Sequence, residues 1–526
     1  LPLTLSRHYN SRLADQNNRL GKGWSFSYHA FVYENQFDGK AYLHLGDGLY
    51  GLFTPLAGND YQSSLGNMFK LERTGTDPTY HQFLLTNLMD GTVYLFAQTP
   101  EIWPLARVER MTKSGTALAL DFTYALQNGI TVLANVADQS GRRLLFDYST
   151  TVGFEGMVVG ARDEIGGTIY RSVTYAYDNN KNLIRVTETR TNPITNANTT
   201  IITSYSYDAA GHLTAYTNPR GAVINNDYDA LGRVVRQYEF NPQMDPPGTN
   251  GRLTKDFTYQ TEAEDGVQPH SAAACAAAKF YRASNDYFVK LECFNDRNLL
   301  IAKDTGSRFV DPYINSATTT ILYDYNLSGL LTSETDQNGR VTLYEYNANN
   351  QLSRKTSPAA GGYQLETRYA YQSDPFRHRI NTKTEIATNL VAGNAQTKLT
   401  SYVIDQFGEY HQIYYPDNSQ EMFLHDQYGN LTRFTDRTGR SILYTYDPTH
   451  NYIIQETQTA TLPDGRGQQT IEKRYAVDQY GNRTQYTDPR GLIYGYVYDN
   501  FGNILRESDP NGGVISYGYD AENHIT

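Results

Sequence analysis

The sequence predicts an all-β fold in which antiparallel β-hairpin repeats extend one long twisted sheet. Three observations predict it. Residues recur at a step of 21, a turn signature occurs twice in each step, and Tyr occupies alternate positions before the turn.

The step is clearest near the C-terminus, where Asp478, Asp499 and Asp520 are 21 apart. Asp405, Asp426 and Asp447 repeat the spacing, as do Tyr207 and Tyr228, and Tyr325 and Tyr346. From Asp447 to Asp478 the step is 31, which reads as one repeat with a ten-residue insertion at Thr461-Leu462-Pro463-Asp464-Gly465.

The turn signature is Asp or Asn, two residues, then Gly. It occurs at Asp478–Gly481, Asp488–Gly491, Asp499–Gly502 and Asp509–Gly512. It recurs at Asn218–Gly221, Asp229–Gly232, Asn326–Gly329, Asp336–Gly339, Asp426–Gly429 and Asp436–Gly439. Asp208–Gly211 and Asp520 belong to the same series. Asp or Asn first and Gly fourth is type I turn chemistry, with the side chain bonding the turn backbone and Gly taking positive φ.

Between the turns lie short strands. Tyr recurs at i and i+2 in Tyr175/Tyr177, Tyr205/Tyr207, Tyr323/Tyr325, Tyr344/Tyr346, Tyr444/Tyr446 and Tyr517/Tyr519, and three times over Tyr494, Tyr496 and Tyr498. In a strand these positions share one face; in a helix they form no stripe. A single hairpin is marginal, so neighbouring units must stack, and cross-strand Tyr pairs then form a ladder. A sugar-stacking face is the other reading of these Tyr stripes.

These residues carry a resemblance. Tyr498-Asp499-Asn500-Phe501-Gly502-Asn503-Ile504, followed by Asp509-Pro510-Asn511-Gly512, resembles the RHS or YD-repeat family. Recognisable repeats cover roughly 170–240 and 320–526. The start, Tyr9-Asn10-Ser11 and Gly21-Lys22-Gly23-Trp24, looks like the segment before the repeats in Rhs and wall-associated proteins. The resemblance implies a sheet that spirals into a hollow shell around a C-terminal toxin or effector. It also implies secreted or bacterial cell-surface localisation and delivery by a bacterial secretion system. The family's self-cleavage motif is absent here, so no catalytic residue carries over.

Four regions are expected: a β-rich cap or plug over 1–150 that grades into the repeats, repeats over 151–240, an irregular insertion over 241–320, and repeats over 321–526. Degenerate turns are expected at Asp138–Gly141 and Asp163–Gly166. In the insertion, Asn241 to Gly248 reads as a loop. His270 to Ser284, with six alanines in Ser271–Ala278, reads as a short helix. Cys275 and Cys293 are two buried thiols or one local disulfide.

Composition narrows the function. The chain has 526 residues and a net charge of −11, against a nucleic-acid partner. No apolar run reaches the length of a membrane span. Aromatic content is 13%, with 45 Tyr, against disorder. The 11 His are scattered, without a His-Glu-x-x-His or Cys-x-x-Cys pattern, and no Walker or Gly-x-Ser-x-Gly motif occurs. Asp178 to Asn182 begins like a calcium loop, but Leu183 and Thr189 stand where Gly and Glu are needed. No cofactor or metal is therefore expected.

The leading expectation is a non-enzymatic scaffold, the wall of a toxin-enclosing shell. Its partners would be its own C-terminal segment or toxin cargo, beyond this chain, and secretion-system components. The chain starts Leu1-Pro2-Leu3 without Met and is expected to be cut from a longer protein. The alternatives are a cell-surface adhesion or carbohydrate-binding repeat protein, and a hydrolase hidden in 1–150 or in the insertion. Antiparallel sheets twist with a fixed hand, so a long run of hairpins must coil, and its two mixed faces can enclose a polar cavity.

Overall fold

The computed structural model describes residues 3–526 apart from 57, 65–67, 243–244, 246–251, 262–276, 284–288, 296–298, 307–308, 311–312, 315–318, 374–378, 449–450 and 462–467. Among the described residues the only helical element is one short 3-10 turn, Ser11–Leu13. The rest is strand and turn. From Phe31 to Ser516 nearly every strand pairs antiparallel with the strand before it, because each turn reverses the chain onto its own hairpin.

The sheet begins as a small ring. Its strands are Phe31–Glu34, Ala41–His44, Tyr50–Pro55, Tyr61–Ser63, Phe69–Thr74, Gln82–Asn87, Thr92–Gln98 and Leu105–Lys113. The last strand returns to the first through Leu105↔Tyr33, Ala106↔Val32 and Arg107↔Phe31. Alternation sends Val32, Leu43, Phe53, Leu71, Phe83, Leu85, Phe96 and Val108 inward, where all are at most 1% exposed. Eight strands give an interior that side chains can fill, so this ring is a packed barrel.

The core then thins. It continues through Phe122, Val136, Phe146 and Val186 to Tyr205. Past residue 320, the only buried apolar side chains among the described residues are Tyr475 and Leu505. There the strands read exposed and half-buried in alternation, as in Val341–Tyr346. The chain exposes 28609 Å², against about 19,000 Å² for a compact chain of this mass. Most of the molecule is therefore a single-layer wall.

The wall coils. Asn482 meets Tyr170 at a sequence separation of 312, Asn500 meets Thr191 at 309, and Glu522 meets Asn218 at 304. A nearly constant separation at successive sites means that a second lap of sheet runs alongside the first, one lap per roughly 310 residues. No ladder joins the final strand, Val514–Ser516, to any strand but Ile504–Ser508 among the described residues, so the sheet itself stays open.

Three sequence expectations change. Residues 277–283 of the expected helix form a strand, paired with Arg252–Thr261 and Val289–Phe294, and residues 270–276 lie outside the described residues. Local Ala content favours a helix only weakly, and two flanking strands override it. Asp163 is not a turn residue. It sits inside the Val158–Ile165 strand and binds Arg142 at 2.5 Å, while Gly166 and Gly167 make the reversal. Cys293 is fully buried and disulfide-bonded; Cys275 is outside the described residues. The expected loop over 241–248 and the insertion at 462–465 also fall largely outside them.

Candidate functional site

The repeat residues converge on one turn geometry. In the Asp478 turn, the Gly481 amide donates to the Asp478 carbonyl at 3.1 Å, and the Asp478 amide donates to the Asn482 carbonyl at 2.9 Å. Asp478 Oδ1 accepts the Tyr480 and Asn482 amides, both at 2.9 Å, and Oδ2 accepts the Asn482 side-chain amide at 2.9 Å. The Asp478 carboxylate, amide and carbonyl thus all have partners within the reversal.

The same pair of amide bonds is made by Asp208, Asp229, Asp336, Asp426, Asp488, Asp499, Asp509 and Asp520. Gly211, Gly232, Gly339, Gly429, Gly481, Gly491, Gly502 and Gly512 all have φ between +72° and +88°. A Cβ there is strained even where space is open, as at Gly491. The Asp178 segment is one more such turn, with both carboxylate oxygens engaged by Asn180 and Asn182.

Some turns escape the Gly signature. Asn350, Asn418, Asn451 and Asn523 take the left-handed position at φ +58° to +66°. Asn tolerates this region, so the Asp447 turn closes through Asn451 and the Asp520 turn through Asn523.

Where Tyr precedes a turn, its hydroxyl ties one hairpin to the last in several repeats. Tyr446 Oη donates to the Leu431 carbonyl at 2.9 Å. The ladder between these strands stops at Arg433↔Leu443, and the Tyr446 hydroxyl carries the tie two residues beyond it. Tyr228, Tyr346, Tyr498 and Tyr519 donate to Leu213, Leu331, Arg483 and Ile504, each 15 residues upstream. Tyr207 reaches further back, to the Leu183 carbonyl at 2.7 Å, and accepts from Trp24 Nε1 at 2.8 Å. Tyr475, Tyr486 and Tyr494 stack in sequence with centroids 5.6 Å apart.

Burial pushes the Tyr446 and Tyr498 hydroxyls up. The Arg340 amide, then the Asn338 amide, hold Asp336 below the usual carboxylate range. At Asp208 burial pushes upward, but bonds from the His212 side chain and amide outweigh it and the carboxyl is lowered.

Consecutive turns lie on opposite rims of the sheet. On the first lap, the rim with the Asp178 and Asp208 turns is covered by the N-terminal segment. Lys22 N donates to the Lys181 carbonyl at 3.2 Å, and Tyr9 Oη donates to the Gly211 carbonyl at 2.9 Å. On the second lap, the equivalent turns dock on the opposite rim of the first lap. Ala117 N donates to the Gln427 carbonyl at 2.7 Å. Thr191 N donates to Asn500 Oδ1 at 2.7 Å, and Asn500 Nδ2 donates to the Thr189 carbonyl at 2.9 Å. Arg171 and Arg190 lie over the Phe501 ring at 4.5 and 5.3 Å, and the Tyr170 and Tyr480 rings stack.

Sequence reasoning missed this seam. Its residues are the two middle turn positions, which the period leaves free. One signal was present: Phe407, Tyr428, Tyr480 and Phe501 place an aromatic third in four second-lap turns, where a solvated tip favours small polar residues.

A coiled meander of 21-residue hairpin units, tied by Tyr-Asp turns, defines a structural repeat scaffold. The chain carries repeats of the RHS/YD type. The RHS repeat family matches residues 194–223, 325–362, 477–514 and 498–526. A domain of unknown function, DUF6531, matches residues 1–53. No curated protein matches the chain by sequence.

Among solved structures, the chain is similar to one titled as the crystal structure of TcdB2-TccC3, at 12% identity and a TM-score of 0.30, covering 100% of this chain and 33% of that one. It is also similar to a structure of the Photorhabdus luminescens Tc holotoxin pore, at 11% identity and a TM-score of 0.30, covering 93% of this chain and 31% of that one. The chain thus spans about a third of the length of these solved chains. The family assignment rests on the repeats.

Proposed function

We propose that the chain is a non-enzymatic wall segment of a shell that encloses a C-terminal toxin or effector segment of its own longer protein, for delivery by a bacterial secretion system. One observation carries this reading. The sheet coils past a full lap and stitches the laps at separations of 304 to 333 residues, while past residue 320 the only buried apolar side chains among the described residues are Tyr475 and Leu505. A sheet that invests its turns in holding a curve, and leaves the concavity unfilled, suits a container.

The sugar-binding alternative has less support, because the Tyr446, Tyr498 and Tyr519 hydroxyls are spent on backbone carbonyls. Secretion, surface localisation and secretion-system partners belong to the same proposal, and the match to the RHS repeat supports them.

The test uses the full-length gene product. A downstream segment enclosed by the wall resists protease in the intact protein and is digested once Arg190→Ala and Phe501→Ala open the seam. Equal digestion in both proteins would end the container reading. Small-angle scattering of this chain checks the shape: a radius of gyration clearly above about 24 Å, the compact value for this length, is expected.

A further inference from the structure

The Leu105–Lys113 strand forks. Leu105, Ala106 and Arg107 pair with the barrel strand at Tyr33, Val32 and Phe31. Arg110, Met111 and Thr112 pair with the sheet strand at Asp121, Leu120 and Ala119. Two strands leave one edge at Val108 and Glu109, and a gap opens between them. Tyr124 closes part of it by donating its hydroxyl to the Val108 carbonyl at 2.9 Å. A cavity of about 160 Å³ remains. That is room for one small group and a few waters, at about 30 Å³ per water.

The charge of this cavity is one-sided. Arg19, Arg107, His29, Tyr124 and Tyr148 line it, and among the described residues no Asp or Glu does, in a chain of net charge −11. Arg19 has one bond inward, to the Gly156 carbonyl at 3.1 Å. Arg107 lies over the Tyr124 ring at 5.5 Å, and its Nη1 is buried without a partner. His29 Nδ1 is also buried without a partner. The Tyr148 hydroxyl is already donated to the Leu133 carbonyl at 2.9 Å.

Desolvation lowers both guanidinium groups, and Arg19 lowers Arg107 further. Burial, then the neighbouring His44, Arg19 and Arg107, lower His29 to about 3, so its ring is neutral at physiological pH. Two half-buried cations that share one cavity without a counter-charge are costly. An oxyanion offers the acceptors that a guanidinium fork fits.

We propose that this fork cavity binds a small oxyanion, a phosphate or carboxylate group, held by Arg19 and Arg107 with His29 Nδ1 as a further hydrogen-bond partner. The bound group bridges the N-terminal segment, the barrel and the first sheet strands. It therefore pins the packed barrel to the wall.

The test titrates the chain with inorganic phosphate, and separately with acetate, at constant ionic strength set by sodium chloride. The thermal midpoint and the phosphorus-31 linewidth of phosphate are followed. The midpoint is expected to rise with anion concentration. A response to phosphate alone assigns a phosphate-type ligand, and a response to acetate as well assigns a carboxylate-type one. Arg107→Gln and Arg19→Gln are expected to abolish the response, Arg107→Lys to retain part of it, and Glu109→Gln, at an exposed neighbour, to leave it intact. Absence of any response in the unmodified chain overturns the proposal. A response that persists in Arg19→Gln and Arg107→Gln places binding elsewhere and also overturns it. Should Arg107→Gln not fold, Arg19→Gln and the linewidth of the unmodified chain decide between these outcomes.

Discussion

The Arg190 guanidinium Nε lies 3.5 Å from Asp499 Oδ2 across the seam between laps, with the two side chains only 7% and 0% exposed. Asp499 also accepts the Phe501 and Asn503 amides, so one carboxylate closes a turn of the second lap and neutralises a cation of the first. Arg190 Nη1 continues to the Asp520 carbonyl at 2.6 Å, in the next turn along. Local hairpin chemistry and long-range coiling therefore meet in the same residues.

Arg190→Met leaves a buried carboxylate without its cation. It should cost about 3 kcal/mol, read as a lower denaturation midpoint and as faster amide exchange over 499–524. Asp499→Asn, which keeps the turn acceptor, should show strong coupling to it in a double-mutant cycle. Additive effects would separate the turn from the seam.

Tyr446→Phe removes the donor to the Leu431 carbonyl and should cost about 1 kcal/mol. Tyr414 is 43% exposed, and Tyr414→Phe should stay within about 0.5 kcal/mol. Equal losses for the two variants would remove the hydroxyl from the account of how hairpins are tied.

Gly502 has φ +83° and open space around its missing Cβ, with Asn482 Oδ1 at 3.5 Å the nearest atom. Gly502→Val should therefore destabilise through backbone strain alone, by more than about 1 kcal/mol. Arg490 is 74% exposed, and the Asp488 carboxylate it pairs with keeps its two turn amides, so Arg490→Ala should change stability by about 0.5 kcal/mol or less. Urea denaturation of both variants checks the contrast.

Acid should weaken the wall. Asp336 is held low chiefly by the Arg340 amide, and Asp436 chiefly by the Thr438 hydroxyl. A folded pKa below the unfolded one contributes stability that is present above about pH 4 and is lost as pH falls through the depressed value. Urea midpoints should hold between about pH 7 and about pH 5 and decline below about pH 4. Midpoints that rise on acidification would contradict the assignment.

The sequence by itself determined the hairpin, because its causes are local. Asp499 and Gly502 specify a turn within four residues, and Tyr496 and Tyr498 specify a strand face within three. Repetition of such units fixes an antiparallel meander whatever surrounds it. Tertiary structure decided what neighbours in the chain cannot encode. It made residues 277–283 a strand because strands on both sides offered ladders. It kept Asp163 inside a strand, paired across to Leu144 and bound diagonally to Arg142 of the neighbouring strand. It closed the eight strands from Phe31 to Lys113 into a barrel through Arg107↔Phe31, and it brought Arg190 to Asp499 after a full lap of coiling. Those pairings depend on the accumulated twist of many strands. No short stretch of sequence carries that sum.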